Sequence, residues 1–424
     1  MARTPAAYDR VGTAEVEMVA GAATGSLPAS SPRRAVISTC EEGQQSTGAL
    51  YRICMPASGR WNGDLVVFAH GYIAPNEPLS LPDDQMKLPG GMSMAQVANL
   101  LRFAFATTSY STNGLAIKEG IADLVDLVDI FTEAHGQPNR VFLAGGSEGG
   151  IITTLAVEQH PDVFIGGLAA CGPIGDFRRQ VNYWGDFRVL LDYFFPDLIP
   201  GSPVDVPQEV MDNWETDYVP AIRQAIQSHP HEADQLLRVS RAPTDRRDPA
   251  SKEATILGLM WYNVFATNDG ITKLGGQPFD NSRRLYFGSD NDWQLNREIE
   301  RFSADPDALD EIAAYYQTSG DLQVPLVTLH NIGDPVVPYW HVPLYRWKAF
   351  RNGSSRLHTN IPAFRYGHCN FSLVEGVAAF AVLYLKVAGQ RLSGVEAVLP
   401  DAGSQARFNE LVQKYGMAQQ DDFR

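Results

Sequence analysis

A chain of 424 residues, 44% hydrophobic and 20% charged, has enough apolar residues for two average domains or for one large α/β domain carrying a long insertion. Its formal net charge of −15, with Lys and Arg scattered along the sequence, argues against a polyanion-binding surface, so no nucleic-acid partner is expected. No stretch approaches the roughly 20 apolar residues needed to cross a bilayer, and the most apolar helical run, 376–385, reads as a buried core helix, so no membrane span is expected.

The first 48 residues are rich in Ala, Gly, Ser and Pro and read as an irregular arm. Glu15 and Glu17 interrupt the only candidate for a secretory apolar region, so the chain is expected to be cytoplasmic, or exported by a signal that this sequence does not contain. The four cysteines leave the compartment open. Cys40 and Cys54 flank an expected turn and first strand and could pair there.

From Ala49 the pattern changes. Ala49–Met55, Leu65–Ala69 and Phe103–Thr108 are short apolar runs bounded by turn residues, as buried strands are. Ile121, Leu124, Val125, Val128 and Phe131 form one stripe on a 3.6-residue period, which predicts a helix with Asp123, Asp126 and Asp129 on its other side. Val141–Ala144 reads as a strand, 149–158 as a helix and Phe164–Ala170 as a strand. The alternation fails over 177–321, a locally helical, aromatic stretch punctuated by proline. It resumes with a strand at Val324–His330, a helix at Leu344–Phe350, a strand at Leu357–Phe364 and a buried helix at 373–387. Strands alternating with helices predict a mostly parallel central sheet with helices on both faces. The economical division is a core of 49–176 and 322–424, interrupted by a large, mainly helical cap at 177–321.

Gly145-Gly146-Ser147-Glu148-Gly149 matches G-x-S-x-G. With 37 glycines in the chain the pattern alone is weak, but an apolar strand leads into it and an apolar helical run, Ile151–Leu155, follows. A serine on such a strand-to-helix turn needs neighbours without side chains, because the backbone doubles back on itself there. The turn would lift the hydroxyl above the carboxyl edge of the sheet, where open α/β folds bind ligands. The other reading, a phosphate-binding or merely close-packed turn, lacks both the following lysine and the G-x-G-x-x-G spacing.

On these residues the chain resembles the α/β-hydrolase family over about 49–176 and 322–390. The doubled glycines of Gly145–Gly150 are similar to prolyl-oligopeptidase-like hydrolases, although no long repeat-bearing segment precedes the serine. The resemblance implies the chain order serine, acid, histidine. Of nine histidines, His368 alone follows the last expected strand, which makes it the implied base. Asp334 follows the strand Val324–His330, and Pro335 stops any helix after it; it is the implied acid, with Asp176 as rival. His70-Gly71-Tyr72 stands where the family places its oxyanion loop, so the backbone amides of Tyr72 and Glu148 would hold a developing oxyanion, with His70 in a structural role.

Cys171 and Cys369 both map to the carboxyl edge of the sheet, beside the histidine loop. A disulfide between them would brace that loop, in partial resemblance to feruloyl-esterase and tannase-type hydrolases; two buried thiols are the other reading. The acidic stretches 290–292 and 305–311 lack calcium-loop spacing, no zinc motif is present, and no metal or cofactor is expected. The implied function is a serine carboxylic-ester hydrolase of small or polymeric esters acting through Ser147, His368 and Asp334. A serine peptidase, an acyltransferase and a non-catalytic binding protein are its rivals. The cap aromatics would select the substrate, with Trp184, Phe187 and Trp261 as candidate pocket residues.

Overall fold

The computed structural model describes residues 38–57, 59–89 and 91–416. Strand β3 (Asp64–Ala69) and strand β4 (Ala104–Thr108) are buried at every position, so both of their faces must be covered. With β1 (Ser38–Gln44), β2 (Leu50–Pro56), β5 (Arg140–Gly146), β6 (Gly166–Ala170), β7 (Leu326–Gly333) and β8 (His358–Tyr366) they form one eight-stranded sheet in the order β1-β2-β4-β3-β5-β6-β7-β8. Only the β1–β2 and β2–β4 pairings are antiparallel. From β4 to β8 every pairing is parallel, as helical crossovers between strands require.

One face of the sheet is covered by α2 (Ile117–His135) and α3 (Glu148–Gln159), with Leu124, Phe131, Ile152 and Leu155 in its core. The other carries α1 (Met94–Leu100), α12 (Leu373–Ala388) and α13 (Ala402–Gly416), packed through Phe103, Phe142, Val382 and Leu411. Local sequence sets the limits of α12. Ser372 and Glu375 form a reciprocal capping box at its start, and Gly389 ends it at φ 68°. Helix α11 (His341–Arg351) joins β7 to β8.

Between β6 and β7 come α4 (Phe177–Phe194), α5 (Gln208–Asp212), a π-helical turn (Trp214–Tyr218), α6 (Val219–Ser228), α7 (Pro230–Ser240), α8 (Ala250–Leu274), α9 (Asp292–Glu298) and α10 (Pro306–Tyr315). Most of them share a separate core built from Phe187, Trp214, Leu236, Trp261 and Phe265. Its underside merges with the main core, because Leu274 of α8, Ala308 and Ile312 of α10, and Tyr316 pack with the α2–α3 face.

Two sequence expectations require correction. Residues 38–44, read as the end of an irregular arm over 1–48, form edge strand β1, paired along its length with β2 and bridged to it by Cys40–Cys54. The rest of the expected arm, 1–37, lies outside the described residues. Asp123, assigned to the polar side of α2, is fully buried, where it accepts hydrogen bonds from the Thr47 hydroxyl (2.7 Å) and the Ser111 amide (2.6 Å). A buried carboxylate with matched donors fits an otherwise apolar face.

Candidate active site

Strand β5 delivers the chain to Ser147 and α3 starts immediately after it. Ser147 has φ 57° and ψ −121°, a conformation that L-residues rarely adopt and that persists only where the surroundings enforce it. Glycine at 145 is part of that enforcement: a Cβ there would lie 2.2 Å from the Gly149 carbonyl oxygen. The turn presents the serine hydroxyl above the sheet, 2.8 Å from His368 Nε2. His368 stands in the loop between β8 and α12, and its Nδ1 is 2.8 Å from Asp334 Oδ2.

Asp334 directly follows β7 and is fully buried. Its second oxygen, Oδ1, accepts the amides of Val336 and Val337, each at 2.9 Å, so a tight turn fixes the carboxylate before the histidine is considered. His330 Nε2 is bound to the Val337 carbonyl oxygen at 2.8 Å and lies 3.8 Å from Asp334 Oδ2, closing the far side of the turn. The rival acid, Asp176, instead caps α4 by accepting the Arg179 amide at 3.0 Å.

Beside the serine, the amide of Gly71 donates to Gln85 Oε1 at 2.6 Å, whereas the amides of Tyr72 and Glu148 have no partner among the described residues. The Tyr72 hydroxyl is turned away, donating to the Phe265 carbonyl at 2.9 Å. His70 stacks on Tyr110 with ring centroids 3.8 Å apart, and its Nδ1 is bound to the Gly71 carbonyl oxygen. Burial lowers its pKa to about 4, which holds the ring neutral as a structural element of the loop. Cys171 and Cys369 are joined by a disulfide that ties the end of β6 to the histidine loop. Cys171, His368 and Cys369 cluster as metal ligands can, but the bridge takes up both thiolates.

Residues 111–183, which include this turn, match the model of the prolyl oligopeptidase family. The fold is α/β, a mostly parallel sheet with helices on both faces. The chain is 23% identical to o-phthalyl amidase of Xanthobacter agilis over 91% of its own length and 97% of that protein's. Among solved structures it is similar to an acylaminoacyl peptidase of Pyrococcus horikoshii, at 12% identity and a TM-score of 0.42. That match covers 84% of the chain but only 42% of the peptidase, so the chain spans about two fifths of that protein's length. It is likewise similar to feruloyl esterase B of Aspergillus oryzae, at 14% identity and a TM-score of 0.43, over 82% of this chain and 80% of that one.

A pocket opens from Ser147 between the core and the cap. Of the three cap aromatics expected to line it, Trp184 does so, while Phe187 and Trp261 are buried in the cap's own core. The pocket takes Tyr262 instead, stacked on Trp184 with centroids 5.3 Å apart and planes 8° from parallel. Trp261 and Tyr262 are consecutive on α8, so they point about 100° apart and only one of them can face the pocket. The Tyr262 hydroxyl interacts with Ser147, and burial raises its pKa. Sequence reasoning placed Trp261 at the pocket and missed Tyr262, because the phase of α8 against the core is set by the fold.

Helix α4 fastens the cap to the Asp334 turn. The Tyr183 hydroxyl donates to the Pro335 carbonyl at 2.7 Å, and Gln180 Nε2 and Trp184 Nε1 donate to the Val336 carbonyl at 2.9 and 3.1 Å. Opposite, Asn331 and Asn370 exchange hydrogen bonds of 2.8 and 3.1 Å between the end of β7 and the histidine loop. Nothing in their local sequence marks these residues as parts of the site; only the fold brings them to it.

Proposed function

We propose that the chain is a serine hydrolase that cleaves carboxylic esters through an acyl-enzyme on Ser147, with His368 as base and Asp334 as its orienting acid. The observation that carries this reading is the continuous line of 2.8 Å contacts from Ser147 Oγ through both imidazole nitrogens to Asp334. A serine hydroxyl is a poor nucleophile until a base in contact with it accepts its proton. His368 would take that proton as Ser147 attacks the carbonyl, then return it to the departing alcohol. Water activated by the same histidine would release the acid. The unpartnered amides of Tyr72 and Glu148 would receive the charge that develops on the carbonyl oxygen, a contribution of about 3 kcal/mol per donor. Asp334, already held by two backbone amides, would fix the imidazole tautomer.

The ester reading also draws on the Cys171–Cys369 bridge beside the histidine, the feature that resembles feruloyl-esterase and tannase-type hydrolases. The cap, 177–321, would act as substrate selector, since Trp184 and Tyr262 bring it to the pocket wall. Amide hydrolysis is the second reading, favoured by similarity to an amidase over nearly the whole length of both chains. A fluorophosphonate is expected to label Ser147 in the native chain and not in Ser147→Ala, with nitrophenyl acylate turnover falling to background in the variant. Matched esters and anilides of one aromatic acid then separate the two readings. Retained turnover in Ser147→Ala overturns both.

A further inference from the structure

The pocket beside Ser147 is walled mainly by apolar side chains, and no lysine, arginine or histidine lines it among the described residues. Its single carboxyl belongs to Glu148. That side chain is 7% exposed; Oε1 accepts the Ala116 amide at 3.0 Å, while Oε2 has no hydrogen-bond partner among the described residues. Lys273 acts on Glu148 through its charge, but its own contacts lie elsewhere, at 3.2 Å to Asp269 Oδ1 and to the Asn113 carbonyl. Asp269 and Glu119 add further negative charge around Glu148. The rings of Trp184, Tyr262 and Tyr72 line the same pocket, and aromatic rings attract cations.

We infer that this pocket selects substrates carrying an ammonium group close to the scissile carbonyl, held by Glu148 and the aromatic rings, and rejects those carrying a carboxylate there. The inference rests on the proposed acyl-enzyme reaction at Ser147 and names the substrate class of that same site. A carboxylate brought beside Glu148 would meet no basic side chain in the pocket lining, and a like charge wherever Glu148 is ionised. An ammonium would meet a free acceptor oxygen and π faces. Burial raises the Glu148 pKa to about 8 despite the Ala116 amide and the Lys273 charge, and an ammonium bound beside it would favour the ionised form. The side chain of the residue after the nucleophile would thus contribute to specificity, while its backbone amide serves the reaction.

The test compares nitrophenyl esters of phenylalanine, 3-phenylpropanoic acid and benzylmalonic acid (as the half-ester), which differ only in carrying an ammonium, a hydrogen or a carboxylate next to the carbonyl. The full chain and Glu148→Gln are assayed side by side, so intrinsic ester reactivity cancels between the two enzymes. The ammonium-to-carboxylate ratio of kcat/KM is expected to fall at least about tenfold in Glu148→Gln, mainly through KM. Fluorophosphonate labelling of Ser147 reports site integrity in each protein. Intact labelling with an unchanged ratio overturns this inference alone. Absence of labelling in the native chain removes the acyl-enzyme reading and this one with it.

Discussion

Gly149 lies directly against the backbone of Ala69: a Cβ added at 149 would stand 2.0 Å from the Ala69 carbonyl oxygen. Ala69 ends β3 just before the His70–Tyr72 loop, and Gly149 belongs to the first turn of α3. The contact therefore sets how closely the two candidate oxyanion amides approach each other. Backbone cannot yield as a flexible side chain can, so Gly149→Ala is expected to cost about 1–3 kcal/mol or more of stability and to lower kcat by orders of magnitude. Thermal unfolding and ester turnover measure the two effects. A variant with native turnover would mean that the elbow is not held by this contact.

Asp334 receives two backbone amides on Oδ1, an arrangement that an amide oxygen can reproduce, so Asp334→Asn should fold. The Nδ2 group would then face His368 Nδ1 and favour the tautomer with its proton on Nε2, unable to accept one from serine. A fall in kcat of about 10⁴ is expected, with KM little changed. Loss of only a fewfold would place the acid elsewhere.

The Cys171–Cys369 bridge joins the residue after β6 to the neighbour of His368. Replacing both cysteines by serine releases a closed loop of about 200 residues and is expected to lower stability by roughly 5 kcal/mol on the chain-entropy account. A freer histidine loop should also lower kcat, measured at a temperature where the variant is fully folded. Unchanged kcat with a lower Tm would limit the bridge to a structural role.

Acid should destabilise the fold partly through two buried histidines. Burial lowers the pKa of His70 from 6.5 to about 4 and that of His358 to about 3, so between those values and 6.5 the unfolded chain binds more protons. Their contribution is fully present above about pH 6.5 and is lost as the pH falls, reaching about 3 kcal/mol for His70 below pH 4. Denaturant midpoints from pH 7 to pH 4.5 give the slope, and His70→Phe, which keeps a ring against Tyr110, should flatten it. An identical slope in the variant would remove His70 as a source.

What could be read from the sequence follows from the range of each interaction. The all-apolar run of β3 and the stripe of α2 are local patterns, and both gave the right element in the right place. Edge strand β1, largely exposed and poor in apolar residues, carries no such pattern; pairing with β2 and the Cys40–Cys54 bridge make it a strand. Ser147, His368 and Asp334 were legible because each follows a strand, and strand ends converge on one edge of a parallel sheet. Gln85, Asn331 and Tyr262 were not, since each acts through a partner that folding alone supplies.

The cap's position in the chain gives the second bridge a further consequence. Every residue of the cap lies between Cys171 and Cys369, so a protease that cuts one of its surface loops yields two pieces that remain covalently joined. On a non-reducing gel such a nicked chain would migrate near its uncut size, and only reductant would separate the half carrying Ser147 from the half carrying His368. Damage to the cap need not disperse the chemical groups beneath it.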